Sequence, residues 1–172
     1  MRIAIDPGHG MGARTLGVYD PGATRTIDGA RYDEADIVLD WALALDGLLR
    51  ERGQLTWWTR TGRVDPAMAT HRHARAQSMG CDLMVSLHAC GPAGEVWYSC
   101  AHMADVAERV RGAVAKDAKA ASRANNAWMP TGSRVLRVQL GDLDAPADRA
   151  RLTDASARDS VMDAVACAVL KC

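Results

Sequence analysis

The stretch MRIAIDPGHGMG, residues 1–12, runs three apolar side chains, Ile3-Ala4-Ile5, straight into Asp6, a Pro7-Gly8 turn and a single histidine, His9. A short apolar run bounded by a turn signal reads as a buried strand, and the Pro-Gly pair ends it and delivers His9 at its carboxyl end. In open α/β sheets ligands collect at that end of the strands. The stretch therefore implies both a buried first strand and a rim histidine able to hold something, and the rest of the chain must supply its partners.

Working outward, short apolar runs between turns predict further strands at Leu55 to Thr59, Leu83 to Leu87, Glu95 to Ser99 and Arg134 to Leu140. Segments with helical spacing fall between them. From Glu34 to Arg52, Ile37, Trp41, Leu45 and Leu48 recur three or four residues apart, and Gly53 follows as a stop. Pro66 to Met79, Met103 to Ala121 and Ser156 to Leu170 complete the helices. In the last of these, Ser156 stands three residues ahead of Asp159 like a capping box, and Val161, Val165 and Val169 share a stripe. Alternating strands and helices predict the α/β class, with a single twisted, mostly parallel β-sheet flanked by helices on both faces. The segment GATRTIDGARYD, residues 22–33, reads as a long loop, a length that in a compact domain usually carries function.

Length and composition narrow the function. At 172 residues and 48% apolar content the chain suits one domain, residues 1–172, with a continuous core. Basic and acidic residues balance at 21 each, so no net field favours nucleic acid or an anionic membrane. No run of about 18 apolar residues predicts a membrane span, and Met1-Arg2 is followed by a strand rather than a signal-peptide core, which predicts a cytosolic product. The five cysteines, at 81, 90, 100, 167 and 172, are odd in number and contain no Cys-x-x-Cys pair, so reduced thiols are expected.

His88, in LMVSLHAC at residues 83–90, ends the third strand as His9 ends the first. Glu34 opens the first helix just after the long loop. Two imidazoles and a carboxylate match a three-ligand zinc site that leaves one tetrahedral position open, which is the catalytic pattern. Each residue also has a plainer reading, the histidines as ordinary strand-end residues and Glu34 as a first-turn acid favoured by the helix dipole. Spacing leaves both readings standing. His71 and His73, two apart on a helix, read as surface residues, and His102 as a residue at a helix start.

The local motifs add a resemblance. IDPGHG at 5–10, Glu34 opening the first long helix, Thr59-Arg60, the segment Arg72 to His88 ending in VSLHA, and GEVWY at 94–98 follow one another in order. Together they resemble the zinc-dependent N-acetylmuramoyl-L-alanine amidases of the cell-division and phage-endolysin type, from Arg2 to the last helix. The resemblance implies a hydrolase that cuts the amide between N-acetylmuramic acid and the L-alanine of the peptidoglycan stem peptide. It also implies Zn2+ held by His9, Glu34 and His88, polarising the scissile carbonyl and activating water.

One position departs from the pattern. The family carries a catalytic glutamate near the end of a late strand, in a pattern like V-E-x-G, where this chain reads RVLRVQLGDLDAP at 134–146 with Gln139 in its place. An amide cannot take a proton from water or pass one to the leaving nitrogen. Such a group contributes about 10² to 10⁴ in rate, so Gln139 implies retained binding with crippled turnover. Three readings follow: a Glu-to-Gln form of an active enzyme, a naturally inactive binding protein, or a base supplied by Glu95, Asp142 or Asp144. Cys90, two residues beyond His88, is expected to be a buried inert thiol, with a thiolate approach to the metal as the alternative. Trp97 and Tyr98 could face sugar or peptide, or pack in the core.

The expected protein is thus a single catalytic amidase domain without a separate cell-wall-binding domain, most like a phage endolysin. It would act as a monomer on peptidoglycan, without nucleic acid or stable membrane insertion, and accumulate in the host cytoplasm until another protein opens the membrane. The alternatives are a non-catalytic peptidoglycan-binding module and a zinc metallohydrolase acting on another amide.

Overall fold

In the computed structural model, residues 1–63, 68–115, 122–124 and 134–171 are described. The chain runs β1 (Arg2–Pro7), β2 (Gly10–Met11), β3 (Tyr19–Asp20), β4 (Thr24–Ile27), β5 (Ala30–Asp33), α1 (Glu34–Glu51), β6 (Leu55–Trp58), α2 (Ala69–Ser78) and β7 (Leu83–His88). It continues with β8 (Val96–Tyr98), a 3-10 turn (Ala101–Met103), α3 (Ala104–Val114), β9 (Ser122–Ala124), β10 (Val135–Gln139), α4 (Pro146–Leu152) and α5 (Ala155–Leu170). The expected α/β class is observed. A six-stranded sheet has the order β6-β1-β7-β10-β8-β9, and only the β10–β8 pair is antiparallel.

Because side chains alternate along a strand, each strand feeds two faces. Ile3, Ile5, Leu83, Val85, Leu87, Leu136 and Val138 form one face and pack under α1, α3 and α5 in the main core. Ala4, Met84 and Val135 form the other face, where Ala76 of α2 packs in a smaller cluster. Helices thus lie on both faces, with most of the apolar volume on one side. Trp41 of α1 sits at the centre of the main core at 1% exposure, and its indole N–H donates to the Leu152 carbonyl at 2.9 Å. Trimming such a side chain to alanine costs about 3–5 kcal/mol.

Helix α1 begins at Glu34 because its first amides find carbonyls outside the helix. Glu34 N–H donates to Ala23 O at 2.8 Å and Ala35 N–H to Pro21 O at 3.0 Å. It ends as expected at Gly53, whose φ of +74° continues the chain in the left-handed region. Its stripe runs through Leu49, fully buried, rather than Leu48, which is half-buried against the same core.

Several expectations are corrected. Residues 22–33 are not one long loop: β4 and β5 form a hairpin in which Ile27 pairs with Ala30 around Asp28-Gly29. Asp28 and Gly29 have φ of +50° and +80°, and a two-residue Asp-Gly loop with positive φ at both positions matches strand twist. Helix α5 is capped not by Ser156 but by Asp154, whose carboxylate accepts from Ala157 N–H at 2.6 Å. A short helix, α4, begins at Pro146 where none was expected, using proline at its first position. The expected starts and ends at Pro66 and Ala121 lie outside the described residues, and within them α2 covers Ala69–Ser78 and α3 covers Ala104–Val114. No helix of the described residues is long and apolar enough to cross a membrane.

Candidate active site

His9 is placed by the DPGH turn, and buried polar groups hold that turn. The Asp6 carboxylate, 5% exposed, accepts from Thr59 Oγ1 at 2.5 Å, Ser86 Oγ at 2.6 Å and Arg72 Nη1 at 3.0 Å. Burial opposes its charge, but Arg72 and the two hydroxyls outweigh that and hold its pKa below the usual carboxylate range. Arg72 also donates to the carbonyls of Pro7 and His9, and Arg60 to those of Pro7 and Gly8. Arg60 is buried on donating to these backbone oxygens, and burial brings its pKa down to about 10. Two guanidiniums thus fix the carbonyls around the turn. His9 itself has φ of +61°, a left-handed conformation rare for a side chain larger than glycine and tolerated where surrounding bonds over-determine it.

The parallel register brings the partners to the same rim. Pro7 pairs with Leu87 and His88 with Gln139, so the ends of β1, β7 and β10 lie side by side. One ligand atom from each of His9, Glu34 and His88 lies within 4.8 Å of the others. The two imidazoles meet edge to face with centroids 5.1 Å apart. Glu34 is fully buried: Oε2 accepts from Ala23 N–H at 2.9 Å and lies 3.1 Å from His9 Nε2, while Oε1 accepts from Ala89 N–H at 2.8 Å and lies 3.2 Å from His88 Nδ1.

This arrangement fits a bound cation. His9 Nε2 is a buried ring nitrogen without a hydrogen-bond partner, since its approach to Glu34 lacks hydrogen-bond geometry. Its other nitrogen, Nδ1, is taken by Asp20 Oδ2 at 2.9 Å, which fixes the tautomer that leaves Nε2 free to ligate. Asp20 is itself held by Gly22 N–H at 3.0 Å and Arg14 at 3.0 Å. Close packing keeps the ligands in place. A Cβ on Gly22, whose φ is +70°, would lie 2.6 Å from Glu34 Oε2, and one on Gly8 would lie 2.5 Å from His88 Cε1.

The protonation pattern reflects the crowding. Burial of Glu34 opposes its charge, but hydrogen bonds with His88 and His9 outweigh it and hold the carboxyl far below its ordinary range. Burial likewise works against charge on His9, yet the Glu34 carboxylate 3.1 Å away and the Asp20 carboxylate push its pKa up to about 10. Because ligands must be deprotonated, metal binding here would release the proton that His9 holds.

Of the remaining residues singled out from sequence, Gln139 lies beside His88 on the same face of the sheet, 5% exposed, its Oε1 accepting from Cys90 N–H at 3.3 Å. Cys90 is not the buried thiol expected. It lies beyond the end of β7 on an isolated bridge to Asp142 and is exposed, because the covering layers stop at the rim. The neighbouring imidazoles, His88 foremost, lower its pKa to about 7. Asp142 and Asp144 are engaged in their own loop, Asp142 Oδ1 accepting from Asp144 N–H at 2.9 Å and Asp144 pairing with Arg25. Trp97 lies half-buried against the minor cluster and Tyr98 against the main core. His71 and His102 are exposed, His73 is half-buried, and none of the three belongs to the donor set. A cavity of about 600 Å³ opens beside His9 and His88, with Arg14, Arg72 and Arg137 in its walls.

Asp20 was not read from the sequence, although a signal was present. Asp20-Pro21-Gly22 repeats the Asp6-Pro7-Gly8 tripeptide, and the two turns deliver the histidine and the carboxylate that orients it.

A family model described as N-acetylmuramoyl-L-alanine amidase matches residues 3–171. The N-acetylmuramoyl-L-alanine amidase CwlM of Mycobacterium tuberculosis is 28% identical over 186 residues, 98% of this chain and 44% of that protein. The chain therefore spans less than half the length of that relative. The N-acetylmuramoyl-L-alanine amidase AmiC2 of Nostoc punctiforme is similar in structure, with a TM-score of 0.79 at 22% identity over 99% of this chain and 96% of that one. The catalytic domain of CwlV, an N-acetylmuramoyl-L-alanine amidase from Bacillus (Paenibacillus) polymyxa var. colistinus, gives 0.81 at 20% identity over 99% and 96%. At these identities the two structures speak to the fold.

Proposed function

The chain belongs to the N-acetylmuramoyl-L-alanine amidase family, and from that premise we propose that it is a zinc-dependent peptidoglycan hydrolase acting on the amide between N-acetylmuramic acid and L-alanine. The observation that carries the zinc reading is the convergence of His9, Glu34 and His88 around a buried, unpartnered ring nitrogen at the carboxyl rim of the sheet. Two imidazoles and a carboxylate are the donor set of catalytic zinc sites, and Zn2+ bound there would supply Lewis-acid polarisation of the scissile carbonyl and an activated water. Asp20 orients His9, Arg60 and Arg72 hold its turn, and the adjoining cavity gives a muramyl peptide room beside the ligands.

Gln139 stands where a carboxylate would serve as general base, and its amide can neither accept nor deliver a proton. The proposed enzyme therefore binds metal and wall but turns over slowly. The test is release of soluble muropeptide from purified cell wall with zinc, comparing the parent with Gln139→Glu. A gain of about 10² to 10⁴ is expected, and no gain sinks the view that this position lacks the base.

Gln139 also favours a second reading, a peptidoglycan-binding module without hydrolysis, which predicts zinc-dependent wall binding and no cleavage even after glutamate is restored. Cleavage of simple amides in preference to muramyl peptides would instead point to a metallohydrolase of another substrate class. The proposed setting is that of a phage endolysin, acting as a monomer from the host cytoplasm. Lysis of host cells only when a membrane-opening protein is co-expressed would support that setting, and lysis without one would overturn it.

A further inference from the structure

We propose that Arg137 selects the peptide arm of the substrate by gripping a free carboxylate on the residue that follows L-alanine in the stem peptide. The inference rests on the amidase reading of the site and deepens it. The cavity beside the three donors runs from His9 and His88 back along the strands to Met84 and Val135, and the guanidiniums of Arg14, Arg72 and Arg137 and the carboxylates of Asp6 and Asp20 stand in its walls. Four of these five charges are paired with one another. Asp6 meets Arg72 at 3.0 Å, and Asp20 meets Arg14 at 3.0 Å. Arg137 is left over. Its Nε is buried without a hydrogen-bond partner, and among the described residues no carboxylate pairs with it.

Strand geometry puts this side chain on the cavity face. Leu136 and Val138 of β10 pack in the main core, so Val135, Arg137 and Gln139 take the opposite face. In register, Arg137 stands beside Ser86 as Gln139 stands beside His88. The Ser86 hydroxyl is turned to Asp6, to which it donates at 2.6 Å. A buried charged donor without an acceptor is unfavourable, and native structures rarely leave one without a reason. A ligand carboxylate removes that penalty, because the planar guanidinium offers parallel N–H groups that match two carboxylate oxygens. Position then names the residue of the ligand. Arg137 precedes the rim residue Gln139 by two positions, which sets it roughly 6–7 Å back along β10. An extended peptide advances about 3.3–3.6 Å per residue, so with the scissile amide at the rim donors the second residue of the stem peptide reaches that depth. An uncharged amide there leaves the guanidinium unanswered.

The experiment titrates the full chain, with zinc present, by calorimetry with N-acetylmuramoyl-L-alanyl-D-glutamate and with the same compound carrying both glutamate carboxyls as amides. The parent is expected to bind the acid about 10- to 100-fold more tightly than the diamide, the worth of a hydrogen bond to a charged group. Arg137→Met should remove that preference by weakening the acid alone. Arg137→Lys keeps the charge without the fork and should retain part of it. Circular dichroism shows that each variant is folded, and the comparison of acid with diamide on the parent needs no variant. Equal affinity of the parent for the two compounds, or a preference that survives Arg137→Met, overturns the role of Arg137 and leaves the muramyl-peptide reading of the site intact. Binding of neither compound by the parent overturns that reading, and the assignment of Arg137 with it.

Discussion

Replacing Asp20 by alanine tests whether the site is organised around His9. Asp20 Oδ2 accepts from His9 Nδ1 at 2.9 Å, a charge-assisted bond at 11% exposure. With the bond present the proton stays on Nδ1 and the lone pair of Nε2 faces Glu34 and His88. Without it the ring can turn and the proton can move to Nε2. Loss of such an outer carboxylate typically costs 10- to 100-fold in metal affinity, about 1.4 to 2.8 kcal/mol. Asp20 also accepts from Gly22 N–H at 3.0 Å, which steadies the loop that supplies Ala23 N–H to Glu34, so the upper half of the range is expected. Asp20→Asn, which keeps an acceptor for Nδ1–H but loses the charge, should fall between parent and alanine. Zinc affinity is measured by competition with a chromophoric chelator, with circular dichroism and thermal melting to show that the fold is retained. A folded Asp20→Ala protein that binds zinc within twofold of the parent would refute the reasoning.

Further expectations concern the surrounding scaffold. Gly22→Ala places a Cβ against Glu34 Oε2 and His9 at a φ of +70°, so it should lower both zinc affinity and melting temperature, whereas Gly17→Ala, at +76° with open space around it, carries only the conformational cost of about 1–2 kcal/mol. Equal loss in the two variants would show that contact with the ligands is irrelevant. Asp6→Asn removes the buried carboxylate that faces the Arg72 charge and should cost about 3–5 kcal/mol, or roughly 6–20 °C in a chain of this size by thermal melting. A shift below about 3 °C would contradict the pairing. Because the folded-state pKa of Asp6 is depressed below the ordinary value of about 3.9, its contribution is present above about pH 4 and is lost as pH falls through the folded value. Acid titration of the parent and Asp6→Asn should therefore converge below that range, and a constant gap down to the lowest pH would count against it.

The sequence by itself determined the principal strands β1, β6, β7, β8 and β10, the long helices and their alternation, because these depend on local period. Ile3-Ala4-Ile5, LMVSL and RVLRV are short apolar runs bounded by turns, while Ile37, Trp41 and Leu45 recur with the helix. The hairpin at Asp28-Gly29 reads as a loop from sequence, because its alternating residues are polar, Thr-Arg-Thr on one arm and Ala-Arg-Tyr on the other, and leave the turn dipeptide as the one signal. His9, Glu34 and His88 could be named from position and motif. Only the tertiary structure decided that they meet, because convergence depends on the pairing of β1 with β7 and on the placement of Glu34 by Ala23 and Ala89 amides far from it in sequence. Tertiary structure likewise decided the role of Asp20, whose carboxylate finds the histidine 11 residues away only after both Asp-Pro-Gly turns have formed. Cys90 shows the limit most clearly. A buried thiol was expected two residues beyond His88, yet the strand ends at His88 and the thiol is exposed at the rim. Exposure is set by where the covering layers stop, and a local pattern carries no information about that.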